Sequence, residues 1–334
     1  MKFISFLFYH LIHNKIHKYD IIAKEKEDTM LDNFNKYRNK NGYIDINNIP
    51  KEILDRKTYG SRKDKFWFNY EGNEYLFKPN MNPEEDIREI INEEMAKILD
   101  IDNAKYDLAI FQGKKGVISK NFILPNTHLL LGIQLLCKYN LGIHNDISSY
   151  MEALKKSGET KNIQIIAEEL LKRQILDILS AQRDRNIENI AFIDSNNGMS
   201  LAPRYDSAGS FLSICTPNKM LSFIMSQQKE EQIKKYNGIR TRLRVLPGSM
   251  TENSIDEFFS SMDSKIMPDD LKQQLYNINP FIEKALNINF TDIYNILREY
   301  NINLPNNYYN YYRTVYEYKV KEFQKKILVK NRTI

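Results

Sequence analysis

The segment Gln182-Arg183-Asp184-Arg185-Asn186-Ile187-Glu188-Asn189, with Leu201-Ala202-Pro203-Arg204-Tyr205-Asp206-Ser207 shortly after it, constrains this chain more than any other stretch. It sets an Asp, an Asn five positions later and a second Asp twenty-two positions after the first. Phosphoryl transfer from Mg-ATP needs such a set. One carboxylate accepts the proton of the attacking hydroxyl, while an Asn and another Asp hold metal ions that bridge the phosphates. Each half is unremarkable alone, since an Asp and an Asn five apart are common and Tyr-Asp-Ser suits a simple turn. A functional set requires more upstream: a lysine on a strand, and a glutamate on the helix that follows, to pair with it.

Both are present in order. Lys65 to Asn69 and Glu74 to Lys78 flank the turn residues Glu71-Gly72-Asn73, which predicts a β-hairpin ending at Lys78. Pro79 and Pro83 stop the strand. Glu84 through Leu99 then carries Ile87, Ile90, Ile91, Met95, Ile98 and Leu99 near helical spacing, with acidic residues in the first turn. Glu89 and Glu93 lie one turn apart on a shared face, and either reaches Lys78. Glu89, seven positions before Ala96, is the preferred partner. Before the hairpin, Gly60-Ser61-Arg62-Lys63-Asp64-Lys65 can fold a turn whose backbone N–H groups cap phosphate oxygens. A charged hairpin turn is the plain alternative there. The specificity lies in the ordered conjunction of Lys, Glu, Asp, Asn and Asp on suitable elements.

A second hairpin is predicted from Tyr106 to Gln112 and Val117 to Phe122, around Gly113-Lys114-Lys115-Gly116. After Leu124-Pro125-Asn126 the pattern turns helical, over 128–139, 148–155 and 163–180. Residues 184–207 read as loop, strand, turn (Asn196-Asn197-Gly198) and strand. Helical periodicity returns over 218–236 and 255–297, and 306–329 reads as a closing helix. The fold class expected is α+β and two-lobed. An antiparallel-sheet N-lobe with one helix spans 31–122, a mostly helical C-lobe 123–334, and residues 1–30 form an N-terminal extension.

Composition bounds the partners. Forty-eight Lys and Arg against 43 Asp and Glu leave a net charge of +5, compatible with a nucleotide but far from a nucleic-acid-binding signature. Cys137 and Cys215 show neither CxxC nor Cys/His metal spacing and are expected to be buried thiols in a reducing cytosol. The apolar run Phe3 to Tyr9 is too short for a bilayer, which takes about 20 residues. It packs on the protein, touches a membrane surface, or precedes the true start near Met30; packing or the later start is favoured. A cytoplasmic location is expected, with secretion left open. Arg240, Arg242 and Arg244 alternate, which puts them on one face if they form a strand, either a solvated edge or an anion-binding face.

At these residues the chain resembles the HipA-like Ser/Thr kinases, and within them the short cell-translocating-kinase type. The matching pieces are Gly60 to Trp67, Tyr75-Leu76-Phe77-Lys78, Glu89 to Leu99, Gly116 to Phe122, Asp184 to Asn189 and Leu201 to Ser207. The resemblance implies a protein-kinase-like fold, related to that of phosphoinositide kinases, that uses ATP and Mg²⁺. Asp184 would be the catalytic base, Asn189 and Asp206 the metal ligands, and Lys78 with Glu89 the ion pair. Gly60, Ser61, Arg62, Lys63, Lys65 and Lys78 would serve the phosphates, and the backbone at Lys120, Asn121 and Phe122 the adenine. It implies a protein Ser or Thr acceptor; self-phosphorylation at Thr58 or Ser61 and an antitoxin partner are separate readings that the resemblance does not by itself imply. The alternatives are a kinase-fold binding module without turnover, or a lipid or small-molecule kinase. Two departures stand out: Asn186 where His is usual, and Tyr-Asp-Ser where Asp-Phe-Gly is common among kinases. The extra N-terminal subdomain of larger HipA toxins has no evident counterpart here.

Overall fold

Alternation builds the first sheet. In strand β3 (Phe66–Tyr70) and strand β4 (Asn73–Pro79), every second side chain is buried. Phe66, Phe68, Tyr75 and Phe77 thus share one face, where Phe34, Tyr70 and Phe111 join them in an aromatic core. Leu76 and Lys78 fall on the opposite face. The two strands are joined through Glu71 (φ 47°) and Gly72 (φ 75°), the positive backbone angles that match hairpin twist. Strands β5 (Tyr106–Phe111) and β6 (Lys114–Lys120) repeat the device through Gln112 and Gly113. With β1 (Ile44–Asp45) and β2 (Arg56–Lys57) the sheet order is β1-β5-β6-β4-β3-β2, and Lys78 lies opposite Val117. This computed structural model describes residues 32–50, 56–57, 64–159, 161–213, 242–247 and 254–332 except 263, 266, 300 and 303, together with the single positions 222, 226 and 231.

Helix α1 (Glu85–Ile98) follows β4 and is buried at every position from Asp86 to Ala96. Beyond β6 the chain forms a larger body. Strand β7 (His128–Leu131) pairs with a hairpin of β8 (Ala191–Ser195) and β9 (Gly198–Leu201). Helices α2 (Gly132–Lys138), α3 (Ile147–Lys156) and α4 (Ile163–Leu179) surround it. Helices α5 (Ser254–Met262), α6 (Asp269–Asn277), α7 (Asn279–Leu286) and α8 (Phe290–Glu299) follow, and α9 (Asn306–Arg332) closes the chain. Tyr311, Tyr312, Val315 and Phe323 of α9 are buried in the same hydrophobic cluster as Leu170, Leu171 and Ile175 of α4.

Several expectations need correction. Residues 128–131 are a strand rather than the start of a helix, because their backbone pairs with 191–194; the helix begins at Gly132. The second hairpin turns at Gln112-Gly113, so Lys114 to Gly116 are already strand. Gly116 serves close approach: a Cβ there would lie 2.2 Å from the Lys78 carbonyl oxygen. Cys137 is exposed, since it sits on the outer side of a short helix whose buried residues are Gly132, Leu135 and Leu136. The arginine alternation is not a strand in the described part; only Arg244 makes a β-bridge, with Asp146. Residues 1–30, Thr58, Cys215, Arg240 and nearly all of the expected helix 218–236 lie outside the described residues. Among the described residues, no helix is long and apolar enough to cross a membrane.

Candidate active site

Lys78 reaches the cleft because β-alternation turns it away from the aromatic core. Its Nζ lies 2.9 Å from Glu89 Oε1 of α1 and 2.5 Å from Asp206 Oδ1. The other Glu89 oxygen, Oε2, accepts the Ser207 N–H at 2.8 Å, so one carboxylate ties the lysine to the 202–207 segment. Burial alone would lower the Lys78 pKa; Glu89 and Asp206 outweigh it and raise it. Burial opposes the charge on Asp206 as well, but Lys78 overrides that and holds its carboxyl below the usual range, with Arg185 and Lys65 adding to the field. Asp206 sits in left-handed backbone (φ 56°), and its N–H donates to the Tyr106 hydroxyl at 3.1 Å. Strain of that kind in a non-glycine residue persists only where its surroundings enforce it.

Glu93, the other glutamate in reach by spacing, faces elsewhere. Its Oε2 accepts the Tyr106 N–H at 2.7 Å, and burial pushes its carboxyl up to about 7. The remaining polar residues of α1 dock the helix. Arg88 Nε donates to the Ala208 carbonyl at 2.6 Å, and Asn92 bonds both Ser210 Oγ and Arg204.

Asp184 begins a tight loop. Its carbonyl accepts Asn186 N–H at 2.8 Å and Asn189 Nδ2 at 2.7 Å. Asn186 Oδ1 takes the N–H groups of Glu188 and Asn189, so the residue standing where His is usual works as the organiser of the turn. Gln182 Nε2 donates to the Asp206 carbonyl at 3.0 Å. Gly209 closes the approach of the two loops, since a Cβ there would stand 2.6 Å from Gln182 Oε1 and 2.9 Å from Asp184 Cβ. Asp184 itself is half exposed and faces Arg242, Nη1 to Oδ1 3.6 Å.

The segment 120–122, expected at the adenine, is placed by Asn121, whose N–H and Nδ2 bond the Glu74 carbonyl and carboxylate at 2.8 and 2.7 Å. Phe122 stacks on Tyr205 with ring centroids 6.1 Å apart, and the Tyr205 hydroxyl donates to the Glu188 carbonyl at 2.6 Å. Lys120 ends β6 with an exposed side chain. Lys65 is half-buried at the start of the sheet, while Gly60, Ser61, Arg62 and Lys63 lie outside the described residues.

Sequence reasoning missed the fastening beneath this site. Asp177, fully buried on α4, takes Arg185 Nε at 2.9 Å and Arg204 Nη2 at 2.7 Å. Arg185 also donates to the Tyr205 carbonyl and, at 3.1 Å, to Ser207 Oγ. One carboxylate therefore pins the loop after Asp184 and the segment before Asp206 together. Arg173, one helical turn earlier, donates to the Ala202 carbonyl at 2.7 Å and is pushed down to about 10 by burial. The available signal was the presence of Arg173 and Asp177 among Leu170, Leu171, Ile175, Leu176 and Ile178 of this helix, where buried charges demand partners.

The fold and site define a two-lobed, kinase-like protein. The sequence pattern of the HipA-like C-terminal domain matches residues 50–266, about two thirds of the chain, and the chain belongs to that family. No curated protein matches by sequence. Among solved structures, the Helicobacter pylori proinflammatory kinase CtkA is similar over 86% of this chain and 99% of its own, with a TM-score of 0.64 and 14% identity. The Shewanella oneidensis MR-1 toxin HipA, solved with HipB and operator DNA, shares 16% identity over 83% of this chain and 69% of its own, at a TM-score of 0.44.

Proposed function

We propose that this chain is an ATP- and Mg²⁺-dependent kinase that transfers the γ-phosphoryl group to a Ser or Thr hydroxyl of a protein. The observation that carries this reading is Lys78 held between Glu89 and Asp206, with Glu89 also bonded to the amide beside Asp206. Lysine, helix glutamate and second aspartate converge on one point of the cleft, as phosphate binding requires.

The residues fit the metal as well. Among the described residues no cluster of three or more His, Cys, Asp or Glu gathers as a site of its own. Magnesium in phosphoryl transfer asks for only one or two protein oxygens, because the phosphates supply others. Asp206, with its carboxylate partly exposed, and Asn189, whose Nδ2 is engaged and whose Oδ1 remains for a ligand, would hold it. Bound there, it would neutralise charge on the phosphates. Lys78 would exchange Asp206 for phosphate oxygens while keeping Glu89. Asp184 would take the proton from the attacking hydroxyl as the new O–P bond forms and the bond from Pγ to the β–γ bridging oxygen breaks, releasing ADP. Phe122, stacked on Tyr205, would border the adenine. Residues 31–122 and 123–334 would act as the two lobes of this machine. We place the reaction in the cytoplasm, and on family grounds count an antitoxin among its partners.

The test is radiolabelled ATP with a host-cell lysate, comparing wild type with Asp184→Asn. Labelled bands are expected with wild type and a drop of about 10²- to 10⁴-fold with the variant. Equal labelling by the two proteins would sink the assignment of Asp184.

A further inference from the structure

Beside Asp184 lies a second concavity that the reaction described above does not use. It has a volume of about 200 Å³ and is lined by Ile143, His144, Asn145, Asp146, Arg242, Arg244 and Pro247. Its position is fixed by the loop it adjoins. Asn145 Nδ2 donates to the Arg185 carbonyl at 2.8 Å, and the Tyr150 hydroxyl donates to Asn145 Oδ1 at 2.7 Å. Backbone bonds from Arg244 to Asn145, Ile147 to Arg244 and Ser148 to Val245 fasten the 242–247 segment alongside. Leu243 and Val245 are buried, which leaves Arg242 and Arg244 on the pocket side.

The two guanidinium groups of the pocket are loosely paired. Arg242 stands 3.6 Å from Asp184, and Arg244 Nε stands 4.0 Å from Glu257. Well-formed guanidinium–carboxylate bonds run about 2.7–2.9 Å. The carboxylate of Asp146 bonds Ser148 Oγ, Ser149 Oγ and Ser149 N–H at 2.7–2.9 Å rather than either guanidinium. Ile143, exposed, and Pro247 give the pocket an apolar rim. A rim of that kind suits the methylene stem of a side chain better than free phosphate. No Phe, Tyr or Trp lines the pocket among the described residues, so it lacks the stacking platform that single-stranded nucleic acid uses.

We propose that this pocket receives an acidic side chain of the protein substrate, glutamate or a phosphorylated serine, close to the Ser or Thr that is phosphorylated. Arg242 and Arg244 grip the anionic group and Ile143 covers its stem. Occupation also draws Arg242 away from Asp184, so the acidic substrate frees the base that acts on it. The inference rests on the kinase reading given above, and its test has one arm that does not depend on turnover.

In the binding arm, fluorescent Ser-centred peptide libraries carrying Glu, phosphoserine or Gln at flanking positions are titrated against wild type and Arg242→Gln/Arg244→Gln. Acidic peptides are expected to bind wild type about tenfold more tightly than Gln peptides, and the double variant is expected to lose that difference. The Glu and phosphoserine arms show which anion the pocket prefers. In the turnover arm, the same preference appears in kcat/KM, carried by KM, and Arg242→Glu shifts it toward Lys-containing peptides. An acidic preference that survives the double substitution overturns the proposal, as does its absence in wild type. Displacement by a short single-stranded RNA without any peptide preference overturns it in favour of nucleic acid. Binding selectivity without phosphorylation by wild type would leave the pocket standing and remove the kinase reading instead.

Discussion

Lys78, Glu89 and Asp206 on one side of the 202–207 segment, and Asp177, Arg185 and Arg204 on the other, are assembled from the same kinds of side chain. They differ in what water reaches. The Asp206 side chain is 41% exposed and that of Lys78 17%, with only Glu89 closed off at 1%, whereas Asp177, Arg185 and Arg204 are at 1% or less. A charge left partly in water keeps its freedom to exchange partners, which the proposed roles of Lys78 on phosphate and Asp206 on a metal would need. A charge sealed from water has no alternative partner, so breaking the pair costs far more than forming it returned. The first cluster is arranged to be rearranged; the second fixes where the first one stands.

That contrast predicts opposite outcomes for two substitutions. Asp177→Ala strands two buried guanidinium groups and is expected to cost about 3–5 kcal/mol in denaturant unfolding. Asp206→Asn is expected to leave the unfolding midpoint nearly unchanged and to reduce phosphoryl transfer by about 10²- to 10³-fold. Similar midpoints for both variants would break the comparison.

Acid–base behaviour sharpens it. Burial opposes the Asp177 charge, yet Arg185 and Arg204 prevail and hold its carboxyl below the ordinary value of 3.8. Its stabilisation is therefore present above that value and lost on acidification. Glu93 has the reverse sign: its carboxyl is lifted from 4.5 to about 7 by burial. The folded state then holds a proton that the unfolded state releases, so its contribution is full below 4.5 and lost as pH rises through about 7. Glu93→Gln should flatten unfolding free energy over that window by on the order of 3 kcal/mol. An unchanged pH profile in the variant would show that Glu93 titrates normally.

Gly209 joins the two clusters sterically. Gly209→Ala should push the 184–189 loop from the 202–207 segment and lower transfer by about 10²-fold with a small change in midpoint. Activity equal to wild type would mean that the loops tolerate the separation. The smallest effect is expected at Asn186. Asn186→Ala removes an acceptor for two backbone N–H groups, worth about 1 kcal/mol in unfolding and a few-fold in rate; a rate unchanged within error would make the turn self-sufficient.

Much of the fold was legible because local rules and tertiary environment agree. The hairpin before Lys78 carries both alternation and a turn pair able to adopt positive φ, and α1 carries an apolar period with acidic residues in its first turn. Where the two disagree, the sequence misleads. His128 to Leu131 has the leucines of a helix, but its pairing with 191–194 decides its state. The pairing of Lys78 with Glu89 followed from order along the chain, since one sits near the end of a recognisable strand and the other on the helix that follows it. Asp177 carried only the weaker mark of a charge among the apolar residues of α4, and Arg204 carried none. Their importance comes from being enclosed together, and enclosure is a property of the folded molecule, invisible in spacing. Arg242 and Arg244 stood out by alternation, although what places them beside Asp184 is the Asn145–Arg244 backbone bond, which no periodicity announces.

Helix α1 has no outer half. A surface helix can let its solvent side drift through many substitutions, but from Asp86 to Ala96 every position here touches either the sheet, the lysine's partners or the body beneath. Harmless change has nowhere to accumulate. A screen of random mutants for lost activity would fill this short helix with hits well before the 27-residue helix that ends the chain, whose exposed turns leave room for variation.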